Sequence, residues 1–147
     1  MKQEFLNKAF DLALIAQKKG EVPIGAVIVK NNKIIATGYN KRQSTQNAIN
    51  HAEIIAIKKA CKKLHSWRLC DCEMYVTLEP CPMCAGAIIN ARIRTVYCGA
   101  KQNNDENNLC KNILENNQIL NHKTNLIYLN DNNCSKILSN FFSNKRK

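Results

Sequence analysis

Residues 73–100 read EMYVTLEPCPMCAGAIINARIRTVYCGA, and the order of elements inside that stretch decides the fold. EMYVTL at residues 73–78 is a short strand, CPMCAGAIINA at 81–91 is a helix, and TVYCGA at 95–100 is another short strand. Strand, helix and strand in succession give parallel pairing, because parallel neighbours need a crossover connection. Upstream, VPIGAVIV at 22–29 is a buried β-branched strand, Asn31 and Asn32 make a tight turn, and KIIATG at 33–38 is the antiparallel return. A hairpin beside a parallel unit requires a mixed sheet, so the fold class is α/β.

Helical periodicity fills in much of the remainder. Phe5, Leu6, Ala9, Phe10, Leu12, Ala13 and Ala16 share one helical face, and Gly20 follows as a stop. YNKRQSTQNAIN at 39–50 is a polar loop, after which HAEIIAIKKACKKL forms a helix opening at His51, with Asn50 placed to cap it. The Asn-crowded segment 102–121 is loop with a turn of helix over Leu109 to Leu114. NLIYL at 125–129 is a last strand. Cys134, Ile137, Leu138, Phe141 and Phe142 mark an amphipathic C-terminal helix that ends in Lys145, Arg146 and Lys147.

The 147 residues form one expected domain, 1–147, with no internal repeat or linker, and 45% hydrophobic with 22% charged residues is ordinary globular usage. Twenty-two Lys and Arg against eleven Asp and Glu give +11, which fits a polyanionic partner and equally fits a Lys-rich solvated surface. The N-terminal stretch carries Gln3, Glu4, Asn7 and Asp11 where a secretory signal needs an unbroken apolar core, and no apolar run approaches the ~20 residues that span a bilayer. A cytoplasmic protein with no membrane contact is the expectation, its eight cysteines reduced, buried or bound to metal.

Cys81 and Cys84 form a CxxC at a strand-to-helix junction, which by itself also describes a redox dithiol. The stretch HAE at 51–53 separates the two readings, since it sets an imidazole and a carboxylate at the start of a second helix and a redox dithiol needs neither. Pro82 at a first helical position aims both sulfurs to one side. His51, Cys81 and Cys84 then make a three-ligand zinc set that leaves a fourth position for water. Glu53, two residues past His51, points elsewhere on its helix and serves as the proton shuttle. Two helix N-termini add positive charge that favours thiolates. His-x-Glu followed by Pro-Cys-x-x-Cys is the established signature of zinc nucleobase deaminases.

The likeness extends beyond those positions. EVPIGAVIV, GYN, HAEIIAI, YVTLEPCPMCAGAI, VYCGA, Asn121-His122 and the Phe141-Phe142 pair before a basic end together resemble the bacterial tRNA-specific adenosine deaminases over nearly the whole chain. The resemblance implies a cytidine deaminase-like, three-layer α/β/α fold with a mixed five-stranded sheet, one zinc ion per subunit, a homodimer, and conversion of the wobble adenosine of a tRNA anticodon stem-loop to inosine. It further implies that Asn40 contacts the flipped nucleotide, that Ile24, Ala52 and Pro80 line the base pocket, and that His122 lies near the substrate-side loops. After CGA the chain departs from the family, reading KQNNDENNLCKN where an acidic residue and a Gly-Ala-rich turn are usual.

Other readings keep their place. A deaminase of a free base or nucleoside, guanine or cytosine, uses the same zinc and Glu53, and guanine deaminases keep both HAE and CxxC. A zinc-stabilised RNA-binding subunit without activity has no use for Glu53. Phe141 and Phe142 either pack the C-terminal helix or offer a ring to a base. Cys61, Cys70, Cys72, Cys98, Cys110 and Cys134 read as ordinary thiols, Cys70 and Cys72 supplying only two ligands toward any second metal site, and His65 and His122 read as structural or surface residues.

Overall fold

A computed structural model of the chain describes residues 2–102 and 108–145. Its elements run α1 (Lys2–Lys18), β1 (Gly25–Lys30), β2 (Lys33–Tyr39), α2 (Ala52–Leu64), β3 (Cys72–Leu78), α3 (Pro82–Ala91), β4 (Thr95–Ala100), α4 (Leu109–Leu114), β5 (Asn125–Tyr128) and α5 (Asn132–Lys145). The strands form one five-stranded sheet in the order β2-β1-β3-β4-β5. β1 pairs antiparallel with both β2 and β3, whereas β3 with β4 and β4 with β5 are parallel. The sheet is therefore mixed, as the strand-helix-strand stretch and the hairpin require together. Asn31 and Asn32 both take positive φ, 51° and 61°, the backbone that a two-residue turn needs to match strand twist.

Both faces of the sheet are buried, and the period of two sorts its side chains between them. Ala26, Ile28, Met74, Val76, Val96 and Cys98 meet Ala52, Ala56 and Ala60 of α2, Ile88 of α3 and Leu114 of α4. Their alternates Val27, Val29, Tyr75 and Tyr97 meet Phe5, Leu6, Ala9 and Leu12 of α1 and Cys134 of α5. The result is three layers, with α2, α3 and α4 on one side and α1 and α5 on the other. Among the described residues, no helix is long and apolar enough to cross a membrane.

One end of this sheet gathers the start of β1 and the ends of β2, β3 and β4. The Asn40 N–H donates to the Ile24 carbonyl at 3.1 Å, and the Glu79 N–H to the Ala100 carbonyl at 2.8 Å. Ligands of open α/β sheets bind at the carboxyl ends of parallel strands, and this is that end.

Candidate metal centre and substrate pocket

His51 and Cys81 occupy the N-cap positions of α2 and α3, both in extended backbone, His51 at φ −75° and Cys81 at φ −72°. Neither side chain caps its helix, so ring and sulfur are free to turn outward. Asn50, expected as the cap of α2, is one residue too early: its side-chain amide donates to Thr45 Oγ1 at 2.8 Å and is committed to the loop. Pro82 follows Cys81 at the first turn of α3, where a missing N–H loses nothing.

The two helix starts bring three donors together. His51 Nδ1 lies 3.7 Å from Cys81 Sγ and 3.5 Å from Cys84 Sγ, and the three ligand atoms lie within 4.8 Å of one another. Among the described residues this is the only His, Cys, Asp or Glu group of three or more so arranged, and no such group forms around Cys70 and Cys72. The hydrogen bond with Cys84 holds the Cys81 thiol down at about 5 and raises that of Cys84 in turn. A thiolate beside a thiol and an imidazole is a donor set suited to a metal ion.

Glu53 is 4% exposed and its Oε1 has no hydrogen-bond partner. Burial pushes its carboxyl up to about 7, and Cys81 and Cys84 are among the groups that perturb it. The other two buried glutamates are fully engaged. Glu79 accepts from the Gln102 N–H at 3.1 Å and from the Tyr128 hydroxyl at 2.5 Å, tying the end of β3 to β4 and β5. Glu21 accepts from the N–H groups of Gln43 at 2.9 Å and Ser44 at 2.5 Å.

A pocket of about 590 Å³ opens beside the cluster. His51 is part of its wall, together with Ile24, Asn40 and Ala52, while Pro80 is buried beside Cys81 and outside that lining. Asn40 Oδ1 accepts from the Arg42 N–H at 3.1 Å and its Nδ2 donates at 3.4 Å to the Val22 carbonyl, so the side chain also braces the loop. Gln102 and Phe141 with Phe142 complete the far wall. Ile137 and Leu138 anchor α5, and the two phenylalanine rings, edge to face at 5.4 Å, border the pocket.

Glu21 opens the EVPIGAVIV stretch, but nothing in the sequence gives its role; only the fold brings it across to residues 43 and 44. Burial pushes its carboxyl up, but the hydrogen bonds outweigh burial and hold it below the ordinary carboxylate value. A depressed folded-state value means stability that is present above the unfolded-state value and lost as pH falls through the folded-state one, here below about pH 4. Glu21→Gln should therefore lower stability by about 1–3 kcal/mol near neutrality and blunt the acid-induced loss, as read from urea melts across pH. Equal melts for variant and wild type at every pH would remove this anchor.

Two other histidines lie elsewhere. His65 is the left-handed C-cap of α2 at φ 52°. His122 Nε2 lies 2.9 Å from the Ile93 carbonyl, just past the C-terminal end of α3 and thus at the opposite end of that helix from Cys81. This bond to a backbone carbonyl fits the structural reading of His122, away from the substrate-side loops. All eight cysteines are free thiols, of which Cys72, Cys84, Cys98, Cys110 and Cys134 are buried. Arg146 and Lys147 lie outside the described residues.

The family model for MafB19-like deaminases matches residues 1–146. The tRNA-specific adenosine deaminase of Bacillus subtilis is 42% identical over 147 residues, covering 97% of this chain and 89% of the relative. The chain belongs to the tRNA-specific adenosine deaminase family. A solved structure from work on A-to-I editing by tRNA:A34 deaminases superposes with a TM-score of 0.85 at 35% identity, over 92% of this chain and 99% of that one. The five-stranded mixed sheet between helices is accordingly the cytidine deaminase-like fold. The guanine deaminase of Bacillus subtilis is 45% identical, but matches with a TM-score of 0.66 over 67% of this chain and 64% of that one.

Proposed function

We propose that this chain deaminates the wobble adenosine of a tRNA anticodon to inosine, using zinc held by His51, Cys81 and Cys84. The observation that carries the reading is that His51 belongs at once to the donor cluster and to the pocket wall. Donors sharing one tetrahedral ion, at about 2.3 Å for sulfur and about 2.0 Å for nitrogen, stand about 3.5 Å apart. The nitrogen–sulfur separations of 3.5 and 3.7 Å fit this. Zinc in such a set supplies the Lewis acidity that makes hydroxide available near neutral pH.

The chain's own residues do the rest. In the net reaction water adds at C6 of the adenine and ammonia leaves. Glu53, whose Oε1 lacks a partner, takes one proton from the attacking water and hands it to the ring nitrogen, which keeps it in inosine, and then carries the proton of the new C6 hydroxyl to the amine, which departs as ammonia. Ile24 and Ala52 flank the base and Asn40 contacts the flipped nucleotide, while Pro80, outside the pocket lining, does not touch the base. An anticodon loop suits this pocket because its bases are unpaired, which reduces the energy of extruding one.

A charge of +11 and a likeness to a tRNA-specific adenosine deaminase over 97% of the chain favour RNA over a free base. The guanine deaminase likeness favours the second reading, and the two separate cleanly. Anticodon stem-loops with A at the wobble position should yield inosine, while stem-loops with G there, free guanine and free cytosine are left unchanged. Turnover of a free base alone would overturn the RNA assignment.

We further assign the active form to a cytoplasmic homodimer. Met83 on α3 and Leu109 on α4 are exposed apolar residues on helices that pack together, which supports a contact between subunits on that side.

A further inference from the structure

The rim of the pocket carries a cluster that the deamination chemistry leaves unused. Lys19 follows α1, and its Nζ donates to Tyr39 Oη at 2.8 Å and lies 5.2 Å from the ring centroid. Lys41 Nζ lies 4.8 Å from the same ring. Two ammonium groups are thereby gathered around one aromatic ring, Lys19 at its hydroxyl edge and Lys41 within cation–π distance, each repelling the other. Their neighbours in sequence, Gly20, Asn40 and Arg42, all line the pocket, which sets the cluster at its edge.

Among the described residues no carboxylate pairs with either ammonium. Among the described residues the only ion pair is Arg94 with Glu73, far along the chain. Glu21, the carboxylate nearest in sequence, spends both oxygens on the N–H groups of Gln43 and Ser44. The phenol accepts from Lys19, and its own O–H has no acceptor among the described residues. Lys19, Lys41 and Lys59 together hold Tyr39 below the ordinary phenol value, led by the Lys19 hydrogen bond, so the potential at the ring is positive. Two cations and an O–H donor without a carboxylate partner among the described residues, on the lip of a nucleotide-sized pocket, are what an extended polyanion needs.

We infer that Lys19, Tyr39 and Lys41 bind the phosphodiester backbone of the single-stranded RNA next to the nucleotide seated in the pocket; this rests on the RNA-substrate reading. Each ammonium neutralises about one phosphate, releasing its counterions, and Tyr39 holds the two at a fixed spacing.

The test is binding of an anticodon stem-loop hairpin, followed by fluorescence anisotropy from 50 to 200 mM salt. The Lys19→Ala/Lys41→Ala variant should bind at least about tenfold more weakly at low salt, and its log K against log salt should be shallower by about 1.4, or about 0.7 for each lost contact to a single strand. Lys62→Ala/Lys63→Ala, in the last turn of α2 and far from the pocket, should keep the wild-type slope. An unchanged slope in the first variant, or an equal fall in the second, overturns the rim site. A wild type that binds the hairpin but deaminates only free guanine overturns the substrate reading instead, and the slopes then still decide the rim site.

Discussion

Glu53→Ala should yield a folded chain that retains one zinc ion and deaminates RNA about 10²–10⁴-fold more slowly than wild type. The contrast among the buried glutamates is the reason. Glu21 and Glu79 each bind two donors, Glu21 joining one loop to another and Glu79 tying the end of β3 to β5. Glu53 is as deeply placed, yet its Oε1 is left without a partner. A buried oxygen without a hydrogen bond costs about 1–3 kcal/mol, and a side chain kept for stability would not carry that loss. Removing it should hold or raise the melting temperature while turnover collapses. Metal analysis, thermal melts and single-turnover assays on one preparation check all three parts. Wild-type turnover in the variant would take Glu53 out of the mechanism and revive the non-catalytic RNA-binding reading; loss of zinc would make Glu53 a ligand.

Much of this was legible in the sequence because it is local. Pro82 after Cys81, the pair Asn31-Asn32 and the alternation of Ala26 to Val29 each specify their backbone within a few residues, and the structure follows them. The donor triad spans two helices and was still readable, since each half carries its own short motif. What escaped has no local signal. Glu21 binds residues 22 and 23 positions away, Gln102 closes the pocket by bonding Glu79, and Lys19 meets Lys41 only because α1 ends beside β2. Asn50 misled for the complementary reason. Its type suits an N-cap, but the loop claims its side chain and leaves the cap to His51, whose ring is thereby free for the metal.

Gly38→Ala should destabilise the fold by about 1–3 kcal/mol and weaken zinc binding with it. Strand propensity alone argues the opposite sign, because glycine inside a strand gives up about 0.5–1 kcal/mol relative to alanine. Packing decides. A Cβ on Gly38 would stand 2.4 Å from the Ala52 carbonyl oxygen and 2.9 Å from the Ala56 nitrogen, backbone atoms of the first turns of α2 that cannot swing aside. The helix itself must retreat, carrying His51 away from Cys81 and Cys84 and Glu53 with it. Gly25→Ala makes the matched comparison. Its Cβ would meet the backbone of α1 at Ala9 and Ala13, a helix that carries no donor. Both variants should melt below wild type, but only Gly38→Ala should lose zinc to a competing chelator faster per folded chain. Equal zinc retention in the two would mean that the triad is held by the loops before α2 and α3, and that the close approach of β2 to α2 serves stability alone.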